Sequence, residues 1–160
     1  MTIKPGDAIP EANLMHMSEK GPAPLTSADL FKGKKVVLFA VPGAFTPTCS
    51  ARHLPGFVEH AEEIKRRGVD EVVCLSVNDA FVMNAWGKDQ NVAGKVHMVA
   101  DGNGEFTKKV GLELDGSKFG MGPRSQRYAM IVKDGKVEKL FVEEGGGFSV
   151  SSAENIIANL

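Results

Sequence analysis

The stretch PGAFTPTCSARH, residues 42–53, follows the apolar run VVLFAV and places one of only two cysteines directly behind Thr46-Pro47-Thr48. A thiol is a nucleophile only as a thiolate. With an unperturbed pKa of about 8.5, roughly 3% is ionised at pH 7. Thr46 suits the N-cap of a helix and Pro47 its first position, where a missing N–H costs nothing. Cys49 is therefore predicted in the first helical turn, at about the third position. Free backbone N–H groups and the positive end of the helix dipole stabilise an anion there, and the same donors suit an incoming polar substrate. An arginine at ~4 Å would add an attraction of order 4 kcal/mol at an effective dielectric of ~20, before desolvation. The competing reading makes Cys49 a small core hydrophobe behind a buried strand. Helix position alone does not choose between them.

The elements that must position this thiol follow from pattern. Residues 1–24, with Pro5, Pro10, Pro22 and Pro24, read as extended and loop-like. Thr26 caps a short helix, SADLFKG, ended by Gly33. VVLFAV is a short continuous apolar run, predicted as a strand buried on both faces; EVVCLSV is a second buried-strand candidate and KVHMVA a third strand. Leu54, Phe57, Val58, Ala61 and Ile64 recur at helical spacing up to Gly68, with Pro55 interrupting and kinking that helix. Asn78 or Asp79 caps AFVMNAWGK. DGNGEF is a turn into a short helix through Val110; as a calcium loop it lacks the glycine and distal glutamate of that pattern. Asp134-Gly135 between RYAMIVK and KVEKLFV signals a hairpin. Ser151 with Glu154 makes a capping box for AENIIANL. Strand–helix–strand–helix–strand followed by hairpin and helix predicts an α/β protein, a mixed central β-sheet flanked by helices, in one domain spanning 1–160. A thioredoxin-like fold fits that order.

Composition removes several functions. With 19 basic and 20 acidic residues, charge is balanced and nothing points to nucleic acid or a membrane surface. Aromatic residues are scattered, giving no base-stacking platform. The longest apolar runs are far below the roughly 20 residues of a bilayer span. MTIKPGDAIPEANL lacks the apolar core of a secretory signal, and a cytoplasmic protein is expected. Cys49 and Cys74 are too few for a disulfide scaffold and, 25 positions apart, do not form a C-x-x-C pair. Cys49 and His53 share a helix face at i, i+4, but two ligands do not make a zinc site.

Pro42-Gly43-Ala44-Phe45-Thr46-Pro47-Thr48-Cys49 carries P-x-x-x-T-x-x-C, the active-site signature of the peroxiredoxins. Together with LSVNDAFVMNAW, VADGNGEFTKKVGL and RSQRYAMIVKDGKV, it makes nearly the whole chain resemble the type II, or atypical two-cysteine, branch. The resemblance implies a thiol peroxidase of thioredoxin-like fold that reduces hydrogen peroxide and organic hydroperoxides through a cysteine sulfenic acid, without metal, flavin or haem. By matching position, Cys49 is the peroxidatic nucleophile and Thr46 a hydrogen-bonding contact to the peroxide. Pro42 shields and shapes the pocket, and Arg127 is the guanidinium beside thiolate and peroxide. Backbone N–H groups of Thr48 and Cys49 complete the site.

Each helper also has a plainer reading. Thr46 reads equally as a helix cap, Pro42 as a loop residue, and Arg127 as a strand-end surface arginine like Arg124. Arg52 and His53 are read as helix-surface residues. The C-terminal segment GGGFSVSSAENIIANL has no cysteine, with Val150 where some type II members carry a resolving one. Cys74 matches the resolving position of plant-like members, and also reads as an inert core thiol in a strand apolar on both faces. A disulfide to Cys49 needs Cα atoms within roughly 7 Å, and so an unwound first helical turn. The implied reductant is glutaredoxin with glutathione, or thioredoxin. The resemblance further implies a homodimer, for which Phe45, Phe81, Trp86 and Phe119 read as interface, pocket rim or core. Two rival functions remain open from sequence: a thiol hydrolase pairing Cys49 with His53, and a peroxide sensor that relays oxidation to a partner.

Overall fold

KVVLFAV and EVVCLS, in which every residue after the first is buried, form the two central strands, β3 (Lys35–Val41) and β4 (Glu71–Ser76). The computed structural model describes residues 2–144 and 147–160. β3 and β4 run parallel, from Val36 opposite Glu71 to Val41 opposite Ser76. β5 (His97–Ala100) continues the parallel set beside β4. β8 (Tyr128–Lys133) lies antiparallel on the other side of β3, with Ala40 opposite Tyr128, and β9 (Lys136–Val142) pairs with β8. The turn between them places Asp134 (φ 47) and Gly135 (φ 78) in the left-handed region, as a two-residue hairpin of this sequence demands.

The segment read as loop-like is instead a hairpin: β1 (Asn13–Ser18) and β2 (Gly21–Thr26) pair in full register. The seven-stranded sheet has the order β2-β1-β5-β4-β3-β8-β9, which puts β2 at an edge. Pro22 and Pro24, two residues apart, have no N–H to donate, and an edge strand tolerates that. Two further short strands, β6 (Glu113–Asp115) and β7 (Pro123–Ser125), form a separate antiparallel pair that the sequence pattern does not announce.

Both sheet faces are covered, which is why the central strands are apolar on both sides. On one face Val37, Phe39, Val72, Cys74, Ala129 and Ile131 pack under α2 (Leu54–Arg66), α3 (Ala80–Asp89) and α5 (Ala153–Ala158). On the other, Val36, Leu38, Val73, Leu75 and Met130 pack under α1 (Ser27–Phe31) and α4 (Glu105–Val110). Burying each large side chain contributes about 1.5–3 kcal/mol. Caps set the helix starts. Thr26 and Asp29 form a reciprocal box on α1, and Asp79 accepts from the Val82 N–H on α3. The cap of α5 is Ser152, which accepts from the Asn155 N–H, and not Ser151, whose hydroxyl is held elsewhere. Asp101 accepts from the backbone of Phe106 and Thr107 and from the Thr107 hydroxyl, so DGNGEF is a turn that launches α4. Among the described residues no helix is long and apolar enough to cross a membrane.

At the strand starts, Glu71 accepts from His97 Nδ1 at 3.0 Å and Lys34 Nζ at 3.0 Å, and His97 Nε2 meets His16 Nδ1 at 2.9 Å. The His97 hydrogen bond, followed by Lys34, outweighs burial and holds the Glu71 carboxyl down to about 2, against an ordinary value of 4.5. A depressed carboxyl stabilises the fold above its unfolded-state pKa and loses that contribution as pH falls toward the folded value. Glu71→Gln is expected to cost about 1 kcal/mol at pH 7. Urea unfolding checks this: the gap between wild type and variant should close as pH drops from about 4.5 to about 2.

Candidate active site

β3 ends at Val41, and the chain turns at its carboxyl end into the loop 42–46. Asn78, beyond the end of β4, fastens that loop: its Oδ1 accepts from the Ala44 N–H (3.0 Å) and the Ser76 hydroxyl (2.6 Å). Asn78 thus serves the loop while Asp79 caps α3. Gly43 is where the loop is tightest. A Cβ there would lie 3.2 Å from Thr46 Cγ2 and 3.3 Å from both Arg124 Nη1 and Met121 Cε. Phe45 adopts φ 64, which costs a non-glycine residue about 1 kcal/mol.

The helix opens at Pro47, as predicted, and its first bond runs from the Ser50 N–H to the Thr46 carbonyl at 2.9 Å. The N–H groups of Thr48 and Cys49 lie ahead of that bond, where a helix has no internal acceptors for them. Thr46 is not a side-chain cap. Its hydroxyl donates back to the Gly43 carbonyl at 2.7 Å. Residues Cys49–His53 then form a π-turn, in which the Leu54 N–H reaches back five residues to the Cys49 carbonyl. Pro55, in the first turn of α2, has no N–H and its ring crowds the preceding turn. The wider turn absorbs the interruption that the sequence predicts there.

Cys49 is fully buried. Arg127 precedes β8, and the antiparallel pairing of β8 with β3 brings the start of one strand to the end of the other. Its Nη2 donates to Cys49 Sγ at 3.0 Å. The structure thus brings Arg127 to Cys49 at the carboxyl end of β3, with Pro42 and Thr46 in the loop between that strand and the helix. Arg124 packs against the Gly43 turn of the site loop and donates from Nε to the Met121 carbonyl.

His53 departs most from the sequence reading. It is fully buried and not on the helix surface. Its Nδ1 meets Arg127 Nη1 at 2.8 Å, and its Nε2 meets the Ser151 carbonyl at 3.0 Å. Arginine only donates and a carbonyl only accepts, so Nδ1 is the bare nitrogen and Nε2 carries the proton. Burial, and then the Arg127 charge, push its pKa down to about 3. With both ring nitrogens engaged away from Sγ, His53 is not a base for Cys49, and the hydrolase reading loses its second group. Arg52 does lie on the surface, with its guanidinium 4.8 Å from the centre of the Phe148 ring.

Cys74 sits in mid-β4, paired with Phe39 of β3 and Met98 of β5. It is free and fully buried, and burial, with the neighbouring Cys49, pushes its thiol up. Trp86 is core and not rim: it is fully buried, and its Nε1 donates to the Ser50 hydroxyl at 3.0 Å. Phe45, Phe81 and Phe119 are exposed. Val150 is exposed too, while Gly145 and Gly146 of the C-terminal stretch lie outside the described residues. Among the described residues no group of three or more His, Cys, Asp and Glu side chains is arranged to hold a metal.

A buried thiol carrying a guanidinium at the carboxyl end of a central parallel strand defines a thiol site on a mixed α/β scaffold. Known proteins agree. The redoxin family model matches residues 4–157. Peroxiredoxin-2B of Arabidopsis thaliana is 51% identical over 159 residues, 99% of this chain and 98% of that protein. The crystal structure of reduced Prx3 from Vibrio vulnificus in complex with H2O2 is 52% identical, with a TM-score of 0.95 over 99% of each chain. Oxidized Prx3 from the same organism gives 0.91 at 52% identity over 100% of each chain. The chain belongs to the redoxin family, as a type II peroxiredoxin of the thioredoxin-like superfamily, and is a thiol-dependent peroxidase.

Proposed function

We propose that Cys49 is the peroxidatic residue and that its oxidised form is a sulfenic acid reduced by an external thiol. The observation that carries this is the 3.0 Å contact from Arg127 Nη2 to a buried sulfur at the start of a helix. The thiolate attacks the terminal oxygen of a hydroperoxide, the S–O bond forms as O–O breaks, and the hydroxyl stays on sulfur. The departing oxygen leaves with the electron pair and takes a proton from water, giving water or an alcohol. Arg127 and the N–H groups of Thr48 and Cys49 are fixed donors for the charge that develops there. Thr46 has given its own proton to Gly43, so its free lone pairs accept the O–H of the peroxide. Pro42 walls the pocket where β3 ends.

Resolution from outside is favoured by the place of Cys74. It is locked between two strands, buried, and pushed away from its reactive form. Glutathione with glutaredoxin, or thioredoxin, would then meet the sulfenic acid directly. Two free cysteines suit a reducing compartment, and we place the enzyme in the cytoplasm. Exposed Phe45, Phe81 and Phe119 support pairing of two copies through the site's end of the fold.

Intact mass after one equivalent of hydrogen peroxide, with a sulfenic-acid trap present, tests the scheme in wild type and Cys74→Ser. A trapped Cys49 adduct in both is expected. Loss of two hydrogens in wild type, with an adduct only in the variant, would make Cys74 the resolving residue instead. The absence of any fast oxidation would sink the peroxidatic assignment.

A further inference from the structure

We infer that His53 is a positioning residue for Arg127, and that Glu143 sets the backbone carbonyl that holds His53. The inference rests on the reading of Cys49 as the attacking sulfur with Arg127 beside it.

A continuous series of contacts leads away from the sulfur. Arg127 uses one terminal nitrogen on Cys49 and the other on His53 Nδ1. A guanidinium on a flexible stem has several ways to reach one acceptor; a second acceptor in its plane leaves few. His53 can be that second acceptor only with its proton on Nε2, and the Ser151 carbonyl keeps it there. A doubly protonated ring would lose the contact and face a cation at 2.8 Å. Ser151 belongs to the C-terminal segment, far from His53 in the chain, and Glu143 fixes it in space. One Glu143 oxygen accepts from the Ser149 N–H (2.7 Å), the Ser151 N–H (2.8 Å) and the Ser151 hydroxyl (2.7 Å). Burial opposes ionisation of Glu143, but the hydrogen bonds from Ser151 and Ser149 outweigh it and hold the carboxyl below its ordinary value. Glu143 also donates its own N–H to the Arg127 carbonyl at 3.0 Å, tying both ends of the series to one residue. The charged groups nearest the imidazole are Arg127 and Glu143, with Arg52 on the same turn. Phe39, Phe57 and Phe148 close around the ring. The geometry therefore couples the C-terminal segment to the guanidinium through one neutral histidine.

The test is a double-mutant cycle on the single-turnover rate of Cys49 with hydrogen peroxide. His53→Leu keeps an apolar side chain of similar size and removes both contacts. It should slow the reaction about tenfold to thirtyfold in the wild-type background. With Arg127→Ala already present it should change the rate by less than about twofold. His53→Gln, which offers an acceptor and a donor, should restore most of the loss. Glu143→Gln perturbs the series at its far end, without altering the histidine, and should give a several-fold loss that also vanishes in the Arg127→Ala background. Equal losses in both backgrounds, or no loss from either residue, would overturn the inference alone. An Arg127→Ala protein as fast as wild type would overturn the reading of the site along with it.

Discussion

Cys49→Ser is expected to lose peroxide turnover by roughly 10⁴-fold or more while keeping the fold. A serine hydroxyl does not ionise near neutral pH and has no sulfenic state, so neither half of the cycle remains. The fold should survive because the change is one atom at a position where Arg127 already supplies a donor. The added hydroxyl would accept that hydrogen bond instead of being buried without a partner. Turnover assays with hydrogen peroxide and an organic hydroperoxide, alongside thermal unfolding, check both halves. Retained turnover in a folded variant would refute Cys49 as nucleophile.

The second large effect falls on Arg127. Arg127→Ala removes the donor on Cys49 Sγ and the charge beside the developing oxyanion. Loss of one such preorganised donor costs about 10²–10³-fold in rate. Arg127→Lys should fall between, since an ammonium restores the charge but not the planar fork that reaches Cys49 and His53 together. Alkylation of Cys49 by iodoacetamide at pH 7 should slow in the same order. If alkylation is unchanged while peroxide reduction falls, Arg127 acts on the departing oxygen alone.

Much of the scaffold is legible in the sequence because its strongest signals are local. VVLFAV and the VVCL of EVVCLSV are apolar on both faces since α1 and α4 cover one face and α2, α3 and α5 the other. Asp134-Gly135 needs only its own two residues to specify a hairpin. The β1–β2 hairpin was hidden by Pro22 and Pro24, which argue against a strand everywhere except at a sheet edge, and edges are a property of the assembled fold. The π-turn lay beyond the pattern as well. Pro55 announces an interruption, yet whether a helix kinks, breaks or widens depends on what packs beside it.

Within the site, the motif and the matched block bring forward Cys49 and Arg127, which the structure sets 3.0 Å apart, whereas His53 reads as a helix-surface residue and is buried. A signal was present, because Cys49 and His53 share a helix face and Leu54 and Phe57 on that side are apolar. What covers that face is the C-terminal segment, nearly 100 residues away in the chain (98 between His53 and Ser151), and no local pattern reports it. Thr46 failed as a cap for a comparable reason. The turn through residues 43–46 carries the Gly43 carbonyl within 2.7 Å of its hydroxyl, and that contact competes with the helix. Ser151, the cap the sequence points to, is displaced because Glu143 accepts its N–H and hydroxyl, and Ser152 caps α5 instead.

Trp86 is the chain's only tryptophan, and its indole N–H is bonded to the residue directly after Cys49. All indole emission of the folded protein therefore comes from a ring that touches the reactive turn. Trp86 is fully buried while that turn is closed, so its emission is expected toward the blue. Opening the turn during a catalytic cycle would break the Ser50 contact, admit water and move the emission to the red. The molecule thus carries an internal optical probe, and its fluorescence can follow the state of the active-site helix in real time without a label.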